Sequence, residues 1–275
     1  MTLTLTLRSA PAVRVWAPAL VPGRLQGLGA SEVAGLRVRC GREAVAVGEM
    51  FEVSGTIDVD EQLVLCGDLA RVDGIGVGMD SGRVLVEGPC GHHLGAGMSG
   101  GEIEVRGIAG DWAGAEMAGG ALRISGDAGA RLGAAYTGAR VGMTGGEIIV
   151  SGDAGQEAGA SMRRGLVAVG GHTGSGAGLR MLAGTVIALG GIGAEAGIGN
   201  RRGSLVSGRG LDPLPSYAFA AHFRPPALGL QLRRVRALGL AVDDALLRGT
   251  WARWSGDRTE LSRGEILIFD EEDGR

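Results

Sequence analysis

Arginines are the residues whose type and spacing most suggest chemistry. Arg163-Arg164 and Arg201-Arg202 stand 38 residues apart, with Arg180 between them. A guanidinium is a planar fork of donors that grips a carboxylate or phosphate through two hydrogen bonds at once. If the chain returns to the same place with a period dividing 38, these side chains share one ridge. A ridge of that kind suits a carboxylate-rich ligand or a polyanionic tail. It is equally a solvated or partner-facing basic edge, and both readings stay open here.

The other reactive types are sparse. Cys40, Cys66 and Cys90 contain no CxxC pair and read as reduced cytosolic thiols, with no base beside them to activate them. The histidines are His92, His93, His172 and His222, without the spacing of a zinc site. Asp127 and Asp153 recur in the same Ser-Gly-Asp-Ala-Gly context. A calcium site would need more oxygen ligands, so they read as turn aspartates bonding their own backbone. No GxSxG, phosphate-binding loop or dinucleotide fingerprint is present. No catalytic residue and no metal ligand is therefore predicted.

The elements that must position these residues follow from composition and repetition. Of 275 residues, 54 are glycine and only 8 proline, while 45% are hydrophobic and 4% aromatic. Proline is too scarce for collagen and hydrophobicity too high for disorder. Such a chain makes many tight turns around a narrow core of small side chains. The net charge of −3, carried with arginine as the sole strong cation, favours neither nucleic acid nor an anionic membrane. The alternating start Met1–Arg8 lacks the basic head and apolar run of a signal peptide. The expectation is a cytoplasmic location.

A glycine pattern, GxxGxxxG, begins at Gly88, Gly107, Gly126, Gly152, Gly171 and Gly190, in steps of 19 residues with one step of 26. A second glycine series, from Gly82 to Gly203, keeps the same steps. Methionine recurs in register at Met79, Met98, Met117, Met143, Met162 and Met181, and Asn200 takes that place last. Between the glycines lie short segments with apolar residues at alternate positions, such as Ile103/Val105 and Leu122/Ile124. One strand per unit cannot bury its own apolar face, so the units must stack, each pairing with the next. The pattern predicts an all-β, right-handed parallel β-helix with an internal methionine ladder. The arginine pairs then lie two coils apart, about 10 Å at ~4.8 Å per coil. The seven extra residues of the long step, around Tyr136–Met143, must loop outward, either as a partner contact or as a tolerated insertion.

Residues 1–60 are predicted to form an irregular N-terminal β cap, with alternation at Leu3/Leu5/Leu7, Val13/Val15 and Val45/Val47. Coils fill 61–206, and 207–275 form a C-terminal extension. Within the extension, Ala227–Leu238 and Val242–Arg248 read as helices stopped by Gly239 and Gly249. Glu265–Phe269 alternates like a strand, and Asp270–Asp273 reads as a frayed acidic end.

The glycine period, the segment Gly48–Gly55 and the closing stretch Arg253–Leu267, with Trp254-Ser255-Gly256-Asp257 and Arg263-Gly264-Glu265, together resemble the C-type subunit family of formylmethanofuran dehydrogenase. The resemblance covers nearly the whole chain, although the repeat alone is also similar to the glutamate synthase α-type domain. It implies a non-catalytic scaffold subunit of a one-carbon enzyme complex. In its bacterial version, the formyltransferase/hydrolase complex, the partners would be an amidohydrolase-like subunit, a formyltransferase and a dehydrogenase-B-like subunit. The carriers would be tetrahydromethanopterin and a glutamate-tailed, methanofuran-type molecule, neither being a cofactor of this chain. The alternative version is the molybdenum or tungsten formylmethanofuran dehydrogenase. The lysine-free, arginine-rich composition favours the bacterial one. A glutamate tail would give Arg163, Arg164, Arg180, Arg201 and Arg202 a ligand.

Overall fold

The computed structural model describes residues 2–57 and 62–270. The chain opens with β1 (Leu3–Leu7), β2 (Val15–Trp16), α1 (Pro22–Leu25), α2 (Ala30–Gly35), β3 (Arg37–Cys40), β4 (Glu43–Ala46), α3 (Val47–Met50) and β5 (Phe51–Ser54). The repeats supply β6 (Gln62–Cys66), β7 (Val72–Asp73), β8 (Arg83–Glu87), β9 (Glu102–Val105), β10 (Ala121–Ile124), β11 (Glu147–Val150), β12 (Leu166–Val169), β13 (His172–Thr173), β14 (Thr185–Ala188), β15 (Gly191–Ile192) and β16 (Ser204–Ser207). Then come β17 (Ala218–Phe223), α4 (Pro226–Ala237), α5 (Asp244–Arg248), β18 (Trp251–Gly256) and β19 (Gly264–Phe269).

The result is mostly β, with one 13-stranded sheet in the order β17-β18-β19-β16-β14-β12-β11-β10-β9-β8-β6-β1-β5. From β1 to β19 every neighbour is parallel, and antiparallel strands close both ends. Register is kept throughout. Leu63, Val84, Ile103, Leu122, Ile148, Val167, Val186, Leu205 and Ile266 are paired in succession, and all are buried. Each repeat also touches the next at a second place, through bridges running Leu69, Cys90, Ala109, Ala128, Ala154, Thr173. Between these ladders lies the core.

Two of the sequence periodicities have one cause. Met79, Met98, Met117, Met143, Met162 and Met181 are all buried. A Cβ built on Gly120 would lie 2.7 Å from the Met98 methyl, and the same clash recurs for Gly146 with Met117 and Gly165 with Met143. The thioether of one repeat thus occupies the space left by a glycine of the next, so the two residue types must recur together. In the first series, a Cβ on Gly107 would lie 2.5 Å from the Gly88 carbonyl oxygen, and Gly190 would strike the Gly171 backbone. Gly88 and Gly126 meet the preceding repeat in the same way, whereas a Cβ on Gly152 or Gly171 would first strike the Asp127 or Asp153 carboxylate.

The opening region departs from the predicted strand alternation. Val47 begins α3 instead of extending β4, and Val13 lies outside β2, exposed. Three short helices interrupt the region, two of them with a glutamate (Glu32, Glu49) bonding back to the backbone at the helix start, a device that competes with extended pairing. β1 pairs on one side with β6 and on the other with β5, whose free edge packs against α2. In the C-terminal region α5 starts at Asp244 rather than at Val242, because the Asp243 carboxylate accepts from the Ala245 N–H at 2.9 Å and so acts as N-cap. The chain after Asp270 lies outside the described residues.

On the outer face of the sheet the middle position of successive strands reads Leu85, Glu104, Arg123, then Ile149, Ala168, Ile187, Val206, Leu267. After Leu85, the switch from charged Glu104 and Arg123 to apolar Ile149 and beyond marks where α4 and α5 lie across the sheet. Leu228, Leu232, Val235 and Leu246 pack there with Ile149, Ile187, Val206 and Trp251 in a second buried cluster. Burying each such side chain contributes roughly 1.5–3 kcal/mol. Leu232→Ala should therefore cost about 2–5 kcal/mol in chemical denaturation. Arg123→Leu, on the uncovered part of the same face, should change stability by only about 0.5 kcal/mol.

Candidate functional site

Arg163, Arg164, Arg180, Arg201 and Arg202 are all exposed, but they do not form one uniform ridge. The amide of Arg163 donates to the Met143 carbonyl, that of Leu182 to Met162, and that of Arg201 to Met181. Arg163 and Arg201 therefore share a column, with Leu182 between them. Arg180 belongs to the neighbouring column, after Ser161 and before Gly199, and sits in a left-handed backbone conformation with φ 52°. An open groove of about 860 Å³ gathers Arg180 and Arg201 with Arg140, and is completed by Leu182, Ile198 and Glu260. Arg163, Arg164 and Arg202 are not among its lining. Arg201 donates to Glu260 at 2.9 Å, while Arg140 and Arg180 make no ion pair among the described residues. Arg140 was missed by sequence reasoning. It lies in the seven-residue insertion, and the only signal was that this insertion leaves the stack one repeat before Arg163.

The insertion is pinned at both ends. Ala135 donates to Ala160 and Gly142 to Ser161, so the repeat resumes with Met143 buried in its column. Residues 137–140 are exposed, whereas Tyr136 folds back on Trp112, with ring centroids 4.9 Å apart.

Tyr136 joins a second cluster at a corner of the stack. One residue per repeat is left-handed there: Gly74, His93, Trp112, Arg131, Glu157, Gly176 and Glu195. Left-handed backbone costs a non-glycine residue roughly 1–2 kcal/mol. Successive side chains of this column touch. His93 stacks on Trp112 with 14° between planes, the Arg131 guanidinium lies 4.6 Å from the Trp112 ring, and Arg131 pairs with Glu157 at 2.9 Å. Trp16 meets His93 edge-on, and the Tyr136 hydroxyl is 2.9 Å from the His93 Nδ1. Sequence reasoning missed Trp16, Trp112, Arg131 and Tyr136, because their spacing shows nothing until the period is laid out in three dimensions.

Beside this column, polar side chains bridge one repeat to the next. Asp73 accepts from the His92 N–H at 2.8 Å, His92 Nδ1 from the Asp111 N–H at 2.8 Å, and Asp111 from Ala130 at 2.8 Å. Asp127 and Asp153 do likewise, accepting from Asp153 and His172. They do not cap their own turns. A carboxylate projecting along the stack finds the free N–H of the following repeat closer than its own. His92 uses its Nδ1 as the acceptor of the Asp111 N–H. The Cys90 thiol is buried within the second ladder, and burial, with Asp73 adding to it, pushes its pKa to about 12. Among the described residues no group of three His, Cys, Asp or Glu side chains is placed to hold a metal ion.

The closing segment has a structural task. Asp257 accepts from the Gly199 N–H at 3.1 Å and the Thr259 N–H at 2.9 Å. Burial raises its pKa, but those bonds and the Thr259 and Ser216 hydroxyls outweigh burial and hold it below the usual carboxylate range. Asn200, in the methionine column, is fully buried and bonds Gly203 through both amide atoms. The last repeat is thereby sealed by polar groups that are all satisfied.

His93 has a pKa below the ordinary 6.5, because burial and then His92 oppose its charge more than Asp73 and Asp111 favour it. The unfolded chain then binds the proton more readily. Its contribution to stability is complete above the unfolded value and is lost as pH falls through the window just beneath it. Unfolding midpoints should fall as pH drops below about 6.5, the ordinary histidine value, and His93→Asn, which tolerates left-handed backbone without titrating, should flatten that slope.

No helix is long and apolar enough to cross a membrane among the described residues. No protein-family model matches the chain. The C-type subunit of the Fhc formyltransferase/hydrolase complex of Methylorubrum extorquens is 36% identical over 91 residues, 33% of this chain and 34% of that protein. The C-type subunit of the molybdenum-containing formylmethanofuran dehydrogenase 1 of Methanothermobacter thermautotrophicus is 36% identical over 73 residues, 26% of this chain and 18% of that one. These alignments therefore span about a third or less of the relatives' lengths. The structural likeness is complete: a chain in the X-ray structure of the FhcABCD complex of M. extorquens with methylofuran matches with a TM-score of 0.89 and 35% identity, covering 96% of this chain and 98% of that chain. With its repeat register, its sealed last repeat and this end-to-end match, the chain belongs to the C-type subunit family of formylmethanofuran dehydrogenase, which includes the corresponding Fhc subunit.

Proposed function

We propose that this chain is a right-handed parallel β-helix serving as the non-catalytic scaffold subunit of a cytoplasmic formyltransferase/hydrolase complex in one-carbon metabolism. The carrying observation is the end-to-end match, at TM-score 0.89, to a chain within FhcABCD. The scaffold role is supported by chemistry already spent on structure: Cys90 is sealed in the core, His92 accepts a backbone N–H, and His93 is held by Tyr136. The partners in this reading are an amidohydrolase-like subunit, a formyltransferase and a dehydrogenase-B-like subunit. A molybdenum or tungsten formylmethanofuran dehydrogenase is the second reading, favoured by the names of the archaeal relatives.

The arginines take a role within this proposal. Methylofuran is bound in the matched complex, and a methanofuran-type carrier with a glutamate-rich tail would present a string of carboxylates. Arg140, Arg180 and Arg201 in the groove would hold it, with Arg163, Arg164 and Arg202 extending the basic surface beyond the lining. An open groove suits a long flexible anion better than a compact substrate, and the two arginines without an ion pair keep their donors available.

Affinity capture of the tagged chain from its native host, with mass spectrometry, tests the assembly. An amidohydrolase-like protein and a formyltransferase should co-elute. A molybdopterin protein would shift the assignment to the dehydrogenase, and a chain eluting alone would refute the scaffold reading. The carrier role is tested by oligoglutamate binding. Arg140→Ala with Arg180→Ala should weaken it about tenfold and reduce its salt dependence, since exposed charge pairs are individually modest. Unchanged binding would remove the groove from the proposal.

A further inference from the structure

A second pocket, of about 430 Å³, shares no residue with the arginine groove. It lies between the opening region and the stack, lined by Arg14, Trp16, Arg39, Gly41, Asp73 and His93. The scaffold role leaves it unused, and none of its residues belongs to the predicted arginine site. We infer that this pocket binds a small planar aromatic carboxylate.

The walls are built for a flat ring. Trp16 and His93 meet at 80° with centroids 5.7 Å apart, so two aromatic surfaces form a corner. Both are held in place. A Cβ on Gly74 would lie 2.8 Å from the Trp16 ring, so only glycine there seats the indole. His93 keeps left-handed backbone where Gly74 and Gly176 carry none of that strain, and it is stacked behind by Trp112 and bonded by Tyr136. Strained backbone of this kind persists where the surroundings over-determine it, which is common at binding sites. A ring entering the pocket finds preorganised aromatic surface, which lowers the entropic cost of binding.

Charge selects the other end of the ligand. Arg14 is neutralised by Asp73, with Nη1 and Oδ1 2.6 Å apart, and Asp73 is itself fixed by the His92 N–H. Arg39 lies directly across from Trp16 in the antiparallel β2–β3 register, is exposed, and makes no ion pair among the described residues. With His93 neutral, the lining carries one uncompensated positive charge next to an aromatic corner. A planar ring bearing one carboxylate satisfies both, its carboxylate on the Arg39 fork and its ring against Trp16 and His93. The volume is that of a small-molecule site.

Calorimetric titration of the full chain with naphthoate, cyclohexanecarboxylate and naphthalenemethanol separates the contributions of planarity and charge. Naphthoate should bind saturably, and the non-planar acid and the neutral alcohol should each bind at least about tenfold more weakly. Arg39→Gln should weaken naphthoate binding by roughly tenfold, the loss expected for one charge-assisted contact, while circular dichroism and melting stay unchanged because the side chain is exposed. Trp16→Leu should abolish binding. Absence of saturable heat with naphthoate, equal binding of all three probes, or undiminished binding to Arg39→Gln would each overturn the inference, and the last variant does so whether or not Trp16→Leu folds.

Discussion

Everything in this molecule depends on one constraint, the register between a repeat and its successor. Each strand of the long sheet gets its partners from the repeats before and after it, so a column of equivalent residues runs the length of the stack. Backbone approach this close leaves room for a methionine in one repeat only where the next has glycine, as Met98 and Gly120 show. A single repeat has no core of its own, and stability is shared between neighbours.

Once columns exist, a side chain's neighbour is the residue one period away. This is why His92 caps Asp111, why Asp127 reaches Asp153, and why His93, Trp112 and Arg131 stack although they are far apart in sequence. It also explains how the ends close. β5 and β17 face outward as antiparallel strands, α2 packs against the first, and Asp257 with Asn200 ties the closing segment onto the last repeat. At this end the buried polar groups Asp257 and Asn200 are both bonded.

Charge is distributed by the same geometry. Along the sheet Arg106 pairs with Glu87 at 2.7 Å on an exposed surface, and Arg123 pairs with Glu102 on a half-buried one, so each pair contributes little. Arg39 at one pocket and Arg140 and Arg180 at the groove make no such pair among the described residues. Among the titratable groups with perturbed pKa values, burial is the largest influence on Cys90 and His93, while hydrogen bonds from Thr259, Gly199 and Ser216 hold Asp257 down against its burial.

The period, the all-β class, the parallel stacking and the buried methionines were legible in the sequence, because each is a local pattern repeated at fixed spacing and needs no knowledge of distant contacts. The closing segment was legible as a family feature, though not as the cap that Asp257 makes of it. Only the tertiary structure decided the rest. The helices of the opening region are set by short backbone bonds of Glu32 and Glu49 that no periodicity announces. Of the predicted arginines, the groove collects Arg180 and Arg201 and adds Arg140, since an insertion's direction depends on what it can pack against. The corner of Trp16, His93, Trp112 and Tyr136 joins separate stretches of chain. Sequence records which residues share a column; which columns face a pocket is settled by how the flanking segments fold across them, a non-local outcome of packing that local spacing does not encode.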